Sequence, residues 1–318
     1  MTDPRTPGAA RYPAAPSTTR RRSTRRAGRP GGRNRWLHST LAALVLLTAG
    51  CSGADAPDAT PTGSRTSAVP STPPSSSAAA APTSEVPPAV PGVNRLTVNG
   101  QPSVLLVPQT SNGRLVLFAH AAGATAEAVL GVGDLGRGDL AAGLVAAGYT
   151  VAASDAHGDA WGNATSLADY TALAREAAAR TGTTSVYLVG ESMGGLATAQ
   201  LSLRGALPGV RAYAGIYPVC DLSSIRAQFA DSIQAANGEG TAALFTALSP
   251  VPLDGSVPVK IWASEGDRTV PKQQNAVVCV QQAQAKGGRA ELVDTIGDHG
   301  DVSNFDLPAL LAFFDSAS

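Results

Sequence analysis

The sequence lacks several features that would each define a fold or a function. The apolar stretch from Leu41 to Gly50 is shorter than the roughly 20 residues that a membrane-spanning helix needs. No repeat with a period of 20–50 residues is visible, which argues against solenoids and propellers. The four histidines lie far apart along the chain, and no cluster of three or four converging metal ligands is evident. We therefore expect neither a metal nor any other cofactor.

Basic residues are scarce outside the N-terminal segment. The net charge of the whole chain is +0, but residues 1–35 hold ten arginines and one acid. The rest of the chain carries 14 basic and 23 acidic residues. Because a nucleic-acid-binding domain needs a basic face, an acidic body argues against a nucleic-acid partner.

The first 50 residues have the layout of a secretion signal. An arginine-rich segment is followed by the apolar stretch from Leu41 and then by small residues before Cys51. The segment Thr48-Ala49-Gly50-Cys51 resembles the lipobox of bacterial lipoproteins, in which the cysteine is acylated and becomes the mature N-terminus. The resemblance implies a palmitate-type lipid anchor at Cys51 on the outer face of the cell membrane. An ordinary secretion signal with an unrelated cysteine is the alternative.

Residues 51–92 have the composition of a linker. Of these 42 residues, 34 are alanine, serine, threonine, proline or glycine. Such a segment cannot bury enough apolar surface to offset the entropy of ordering, so we expect it to be disordered. It would act as a tether between the membrane and the folded body.

Residues 93–318 have the pattern of one α/β domain. Apolar strands such as Leu115–Phe118, Val186–Val189 and Val259–Ala263 alternate with helical runs such as Ser166–Arg180. This alternation predicts a mostly parallel sheet that is covered by helices on both faces.

A strand-to-helix turn at Ser192 is the first candidate for a catalytic element. The segment Gly190-Glu191-Ser192-Met193-Gly194 follows an apolar strand and precedes a helical run, which is the layout of a nucleophile elbow. The amide of Met193 would lie at a helix N-terminus and could donate to an oxyanion. The pattern alone is weak in a chain with 34 glycines, so the alternative is a turn that only caps a helix.

Two later residues fit the other positions of a catalytic triad. His299 follows the last predicted strand and is the one histidine after Ser192, so it is the candidate base. Asp267 follows the preceding strand and could accept a hydrogen bond from the imidazole. Asp221 and Glu265 are the rival acids, of which Glu265 is the weaker.

An early loop could supply the second oxyanion donor. Phe118-Ala119-His120-Ala121-Ala122-Gly123 follows an apolar strand and resembles the His-Gly-x-Gly loop of esterases. The amide of Ala122 is the first candidate, with Ala121 next, and His120 would brace the loop. Ala121 replaces the usual first glycine of that motif.

Taken together, residues 104–314 resemble the α/β-hydrolase superfamily. The elbow, the Asp267 turn and the His299 loop occur in the order that this superfamily uses. Within it, the chain looks closest to dienelactone-hydrolase-like and prolyl-oligopeptidase-like bacterial lipoproteins. The resemblance implies an eight-stranded-type sheet, a serine nucleophile and hydrolysis of an ester, thioester or amide through an acyl-enzyme. Residues 218–256 would form a small lid with helices at Ala227–Ala236 and Thr241–Leu248.

The functional hypothesis is therefore a lipid-anchored serine hydrolase that acts on small-molecule carboxylic esters. One alternative is a peptidase of prolyl-oligopeptidase-like type, which ranks lower because no acidic pair marks a pocket for an N-terminal amine. The other alternative, from a different class, is a non-catalytic binding lipoprotein on a hydrolase scaffold.

Three further segments have simpler interpretations. Cys220 and Cys279 would pair in an exported domain, with two buried free thiols as the alternative. The segment Asp155–Asp159 is expected to border the site and not to bind a metal. Trp161 is expected to have a packing role, with a place at the entrance of the site as the alternative. Arg137-Gly138-Asp139 reads as a helix start that is capped by its acid.

Overall fold

The computed structural model describes residues 87–133 and 135–318. The predicted signal peptide (residues 1–50), Cys51 and all but the last residues of the predicted linker (51–92) lie outside this part. Within it, no helix is both long and apolar enough to cross a membrane.

The described residues form one eight-stranded sheet with the strand order β1-β2-β4-β3-β5-β6-β7-β8. The pairs β1–β2 and β2–β4 are antiparallel, and the pairs from β4–β3 to β7–β8 are all parallel. The strands are β1 (Gly92–Val98), β2 (Gln101–Val107), β3 (Arg114–Ala119), β4 (Thr150–Ser154), β5 (Ser185–Glu191), β6 (Val210–Ile216), β7 (Val259–Ser264) and β8 (Ala290–Thr295).

Seven α-helices accompany the sheet in the described residues. They are α1 (Arg137–Ala146), α2 (Ala164–Thr181), α3 (Gly194–Leu201), α4 (Arg226–Asn237), α5 (Thr241–Leu248), α6 (Ala276–Ala285) and α7 (Leu307–Ser316). Short 3₁₀ segments lie between several of these elements.

The core has two halves because side chains alternate between the faces of the central strands. On β5, Leu188 belongs to the half that also contains residues of α2, α3 and α6, whereas Val189 belongs to the half that contains residues of α1 and α7. The strands are buried on both faces, which explains their continuous apolar sequence. The predicted fold class, a mostly parallel sheet with helices on both faces, is confirmed.

The predicted lid is a helical insertion between β6 and β7. Its helices α4 and α5 agree closely with the predicted Ala227–Ala236 and Thr241–Leu248. Strand β1 was missed because most of its residues are exposed and lack the apolar run of a buried strand, and because it begins at Gly92 inside the expected linker.

The interpretation of Arg137-Gly138-Asp139 was wrong in one respect. Helix α1 begins at Arg137, and its N-cap is Gly136, which provides no side-chain cap. Asp139 lies in the first turn, and Arg137 is buried.

Candidate active site

The three predicted triad residues follow three different strands at one edge of the sheet. Ser192 comes directly after β5, Asp267 after β7, and His299 after β8. Because β5 to β8 are parallel neighbours, their carboxyl ends share this edge. The topology therefore brings together side chains that are far apart in the chain.

The contacts between these side chains form a continuous hydrogen-bonded chain. Ser192 Oγ lies 3.0 Å from His299 Nε2, and His299 Nδ1 lies 2.8 Å from Asp267 Oδ2. The other carboxylate oxygen of Asp267 accepts the amides of Thr269 and Val270, each at 2.9 Å. These two amides fix the carboxylate, so Asp267 can orient the imidazole toward Ser192.

The turn at Ser192 has the strained backbone of a nucleophile elbow. Ser192 has a φ of 49°, in the left-handed region that non-glycine residues rarely adopt. Gly194 allows this turn to approach β3, because a Cβ there would lie 2.1 Å from the carbonyl oxygen of Ala119. The close approach places the start of α3 against the loop that follows β3.

The two predicted oxyanion donors are free to donate hydrogen bonds to a ligand. Among the described residues, the amides of Met193 and Ala122 donate to no protein acceptor. The loop of Ala122 follows β3, whose last residue, Ala119, pairs with Gly190 at the end of β5. Both amides thus belong to segments that leave the sheet side by side next to Ser192.

The loop that follows β4 holds the loop of Ala122 in place. The ring of His120 lies between the carbonyls of Ala121 and Asp155, at 2.8 and 3.0 Å. The carboxylate of Asp155 accepts the amide of Ala126, and that of Asp159 accepts the amide of Gly123. His120 therefore has bracing contacts, as expected, and the segment Asp155–Asp159 borders the site.

The same loop also contacts the lid. Ser232 on α4 donates to Asp159 at 3.3 Å and accepts from the indole of Trp161 at 2.9 Å. The buried ring of Trp161 packs against Phe229 of α4, with centroids 5.0 Å apart. Trp161 thus has the expected packing role, since it fastens the lid to the body.

The rival acids have other partners. The carboxylate of Asp221 accepts from Ser223 and caps a short 3₁₀ helix. The exposed Glu265 binds Lys272 and Gln273. Neither carboxylate contacts His299, so the geometry favours Asp267 as the orienting acid.

His157 belongs to a separate structural cluster. Its Nδ1 lies 2.6 Å from the buried carboxylate of Asp169, which also accepts from Asn99 in the β1–β2 turn. In the part of the chain that the structure describes, no three His, Cys, Asp or Glu side chains form a group that could hold a metal.

Sequence reasoning missed a charged pair directly behind the elbow. Glu191, the residue before Ser192, is fully buried and forms two contacts of 2.6 Å with Arg137. Tyr217, which follows β6, donates to the same carboxylate at 2.6 Å. No sequence signal identifies this pair, because Glu191 occupies the variable position of the elbow motif and Arg137 lies 54 residues earlier.

An open cavity of about 870 Å³ lies beside the loops that carry Asp267 and His299. Its lining is strongly charged and includes Glu265, Arg268, Lys272 and Asp294. Ser192 does not line it, so this cavity is not the pocket in which the nucleophile would meet its substrate.

Cys220 and Cys279 form a disulfide with Cα atoms 5.9 Å apart. Cys220 lies at the base of the lid, after β6, and Cys279 lies on α6, after the Asp267 turn.

No family model and no curated protein sequence matches the chain. Solved structures do match it, at low sequence identity. An acylaminoacyl peptidase from Pyrococcus horikoshii has a TM-score of 0.55 at 12% identity over 71% of this chain and 41% of its own. Est1E from Butyrivibrio proteoclasticus has a TM-score of 0.52 at 16% identity, over 71% of this chain and 98% of its own. Esterase 2 from Thermogutta terrifontis has a TM-score of 0.50 at 18% identity, over 72% of this chain and 94% of its own.

These neighbours share one architecture with the described domain. The described domain has the features of this architecture. They are its strand order, the elbow after β5, and the acid and histidine after β7 and β8. The chain therefore has the α/β-hydrolase fold.

Proposed function

We propose that the chain is a serine hydrolase that cleaves carboxylic esters through an acyl-enzyme. The observation that carries this proposal is the hydrogen-bonded chain from Ser192 through His299 to Asp267. A serine hydroxyl is a poor nucleophile unless a base removes its proton and a third group orients that base. The three side chains supply these functions in one place.

The reaction follows from the positions of these groups. Ser192 Oγ attacks the acyl carbon while His299 Nε2 takes its proton, and the amides of Met193 and Ala122 stabilise the oxyanion. His299 then gives the proton to the leaving alcohol, and the acyl group remains on Ser192. Water activated by His299 hydrolyses this ester and returns the enzyme to its starting state.

An ester substrate is favoured over a peptide. Neighbours in fold include both esterases and a peptidase, and the chain spans about two fifths of that peptidase. The alternative of a prolyl-oligopeptidase-like peptidase ranks second because the sequence offers no acidic pair that would bind an N-terminal amine. A series of p-nitrophenyl esters of increasing acyl length, run beside aminoacyl p-nitroanilides, would separate the two.

The proposal extends to an exported, lipid-anchored protein with Cys51 as the acylated residue. Cys51 and the predicted signal lie outside the described residues, so the support comes from the lipobox-like segment and from the disulfide. Disulfides persist mainly in oxidising compartments outside the cytosol. Metabolic labelling with a palmitate analogue, in the wild type and in Cys51→Ala, tests the anchor, and loss of label in the variant is expected.

The activity is tested by replacing the nucleophile. Ser192→Ala should abolish turnover of p-nitrophenyl acetate and labelling by a fluorophosphonate while the thermal unfolding temperature stays near that of the wild type. The matched control is Ser202→Ala, which removes another buried serine hydroxyl just after the same helix, α3. Unchanged turnover in Ser192→Ala, or no fluorophosphonate labelling of the wild type, would instead favour the non-catalytic binding protein.

A further inference from the structure

A buried ion pair lies behind the nucleophile and takes no part in the proposed reaction. Glu191 is completely buried, and the side chain of Arg137 is only 8% exposed. Burying two charges is costly unless each is well paired. Here the guanidinium meets the carboxylate through two parallel contacts, which is the strongest geometry for such a pair.

Tyr217 connects this ion pair to the catalytic histidine. Its hydroxyl donates to Glu191 Oε1 at 2.6 Å, and its ring meets the ring of His299 at an angle of 60° with centroids 4.5 Å apart. Burial, and then the charge of Glu191, raise the pKa of Tyr217, so its phenol stays protonated and remains a donor. Glu191 thus anchors the hydroxyl of Tyr217, and the ring of the same side chain packs against the imidazole.

The backbone also fixes Tyr217 in this place. Its φ is 36°, and its amide donates to the carbonyl of Trp262 on the neighbouring strand. The ring also contacts Phe305, with centroids 5.9 Å apart. Tyr217 is therefore held by Glu191, by its backbone bond to Trp262 and by Phe305, and the imidazole packs against its ring.

We propose that Tyr217 is a positioning residue for His299 and that the Arg137–Glu191 ion pair holds Tyr217 in this position. The inference rests on the proposed hydrolase activity. His299 must keep contact with Ser192 and Asp267 at once, which restricts its ring to one orientation. The edge contact with Tyr217 limits rotation of that ring, and small misplacements of reacting groups reduce rates strongly.

The ion pair has a second consequence for His299. Among the described residues, Asp267 is the charged group in contact with the imidazole, at Nδ1, whereas Asp298 accepts the backbone amide of His299 and is itself paired with Arg268. Glu191 adds a negative charge behind Tyr217, and Arg137 offsets it. Removing Glu191 would take a negative charge away from the surroundings of the imidazole, and removing Arg137 would take away the positive charge that offsets it.

The first test removes only the hydroxyl of Tyr217. Tyr217→Phe should keep the fold and lower kcat for p-nitrophenyl acetate about tenfold with little change in KM, because the ring loses its anchor on Glu191. The control is Tyr187→Phe, in which a buried tyrosine on the same face of the sheet loses a hydrogen bond to Ser318. Tyr187→Phe should retain wild-type kcat.

The second test follows the pH profile of kcat/KM, which reports the essential base of the free enzyme. Glu191→Gln removes the negative charge and should move the acid limb to lower pH. Arg137→Met should move it to higher pH. If Arg137→Met does not fold because it leaves the charge of Glu191 buried without its cation, Glu191→Gln decides alone. A purely structural role would lower activity without moving the limb.

Two results would overturn the inference. Wild-type kcat in a folded Tyr217→Phe variant would show that the ring needs no anchor, and an unmoved acid limb in Glu191→Gln would show that the pair does not act on the base. Both would leave the hydrolase proposal intact as long as Ser192→Ala is inactive. Loss of that proposal would instead appear as activity in Ser192→Ala.

Discussion

At the scale of single residues, Asp298 joins the two loops that carry the acid and the base. One of its carboxylate oxygens accepts the amides of His299 and Arg268, and the other pairs with the guanidinium of Arg268. The Arg268 side chain and then these two amides lower the pKa of Asp298 to about 2. Asp298 is therefore ionised throughout the pH range in which a histidine-dependent hydrolase works.

This depressed pKa predicts how acid affects stability. A carboxylate with a lower pKa in the folded state stabilises that state above its unfolded pKa, here 3.8, and loses the effect as the pH falls through about 2. Asp298→Asn should lower the unfolding temperature by only about 1–3 °C at pH 6, since the side chain is half exposed and solvent screens its interactions. The difference from the wild type should stay constant down to about pH 4 and shrink below it. Differential scanning calorimetry from pH 2 to pH 8 measures this.

The cause of the shift can be checked separately. In an Arg268→Gln background, Asp298→Asn should have a smaller effect that does not vanish, because the amides of His299 and Arg268 still donate to the carboxylate. A difference between wild type and Asp298→Asn that grows as the pH falls from 4 to 2 would contradict the prediction.

The residues of the triad could be predicted from the sequence because each has a fixed place relative to a strand. Ser192 has its glycine pattern, and His299 is the one histidine in the required position. Glu191 and Tyr217 have no such marker. Their contact depends on which face of the sheet each side chain leaves from, and this is fixed only when β5 and β6 pair.

At the scale of elements, the elbow depends on the close packing of α3 against β3. A Cβ at Gly194 would lie 2.1 Å from the carbonyl oxygen and 2.5 Å from the carbonyl carbon of Ala119. Both atoms belong to a buried central strand, so they cannot move without disturbing the sheet. The glycine therefore sets the distance between Ser192 and the loop of Ala122.

Gly194→Ala should consequently damage both stability and activity. Overpacking against a rigid backbone costs about 1–3 kcal/mol or more, which corresponds to a fall of roughly 2–12 °C in the unfolding temperature of a domain of this size. The kcat for p-nitrophenyl acetate should fall as well, because α3 and the Met193 amide are displaced. Thermal unfolding and steady-state kinetics of the purified variant test this.

Gly240 provides the control for this substitution. It precedes α5 in the lid with a φ of −73°, and a Cβ there would meet no atom within 4 Å. Gly240→Ala should change the unfolding temperature by less than about 1 °C. A Gly194→Ala variant that is as stable and active as Gly240→Ala would contradict the packing described for the elbow.

Elements were predictable from the sequence where burial leaves a strong pattern. Strands β3 and β5, predicted at Leu115–Phe118 and Val186–Val189, agree with the observed strands to within two residues, since both are almost entirely buried. The start of α1 was misread because the sequence Arg137-Gly138-Asp139 shows an acid near a helix start but not the ion pair that buries Arg137. The local sequence pattern does not show which distant elements will come into contact.

At the scale of the whole molecule, the disulfide links the lid to the catalytic edge. The bridge between Cys220 and Cys279 closes a loop with a sequence separation of 59, which contains α4, α5, β7 and the Asp267 turn. Asn275 reinforces the same junction, because its side chain accepts the amides of Cys220 and Asp221. The lid and the acid loop are thus fastened to each other at their bases.

Removing this bridge should destabilise the folded domain as a unit. Closing a loop of this length restricts the unfolded chain by about 4 kcal/mol in the chain-entropy account, so Cys220→Ala/Cys279→Ala should unfold roughly 8–16 °C below the wild type. Cys51→Ala is the control, and it should leave the unfolding temperature of the domain unchanged because Cys51 lies before the described fold. Reducing the wild type with dithiothreitol should reproduce the shift of the double variant and leave that variant unaffected. An equal unfolding temperature for wild type and double variant under oxidising conditions would mean that the loop is held by packing alone.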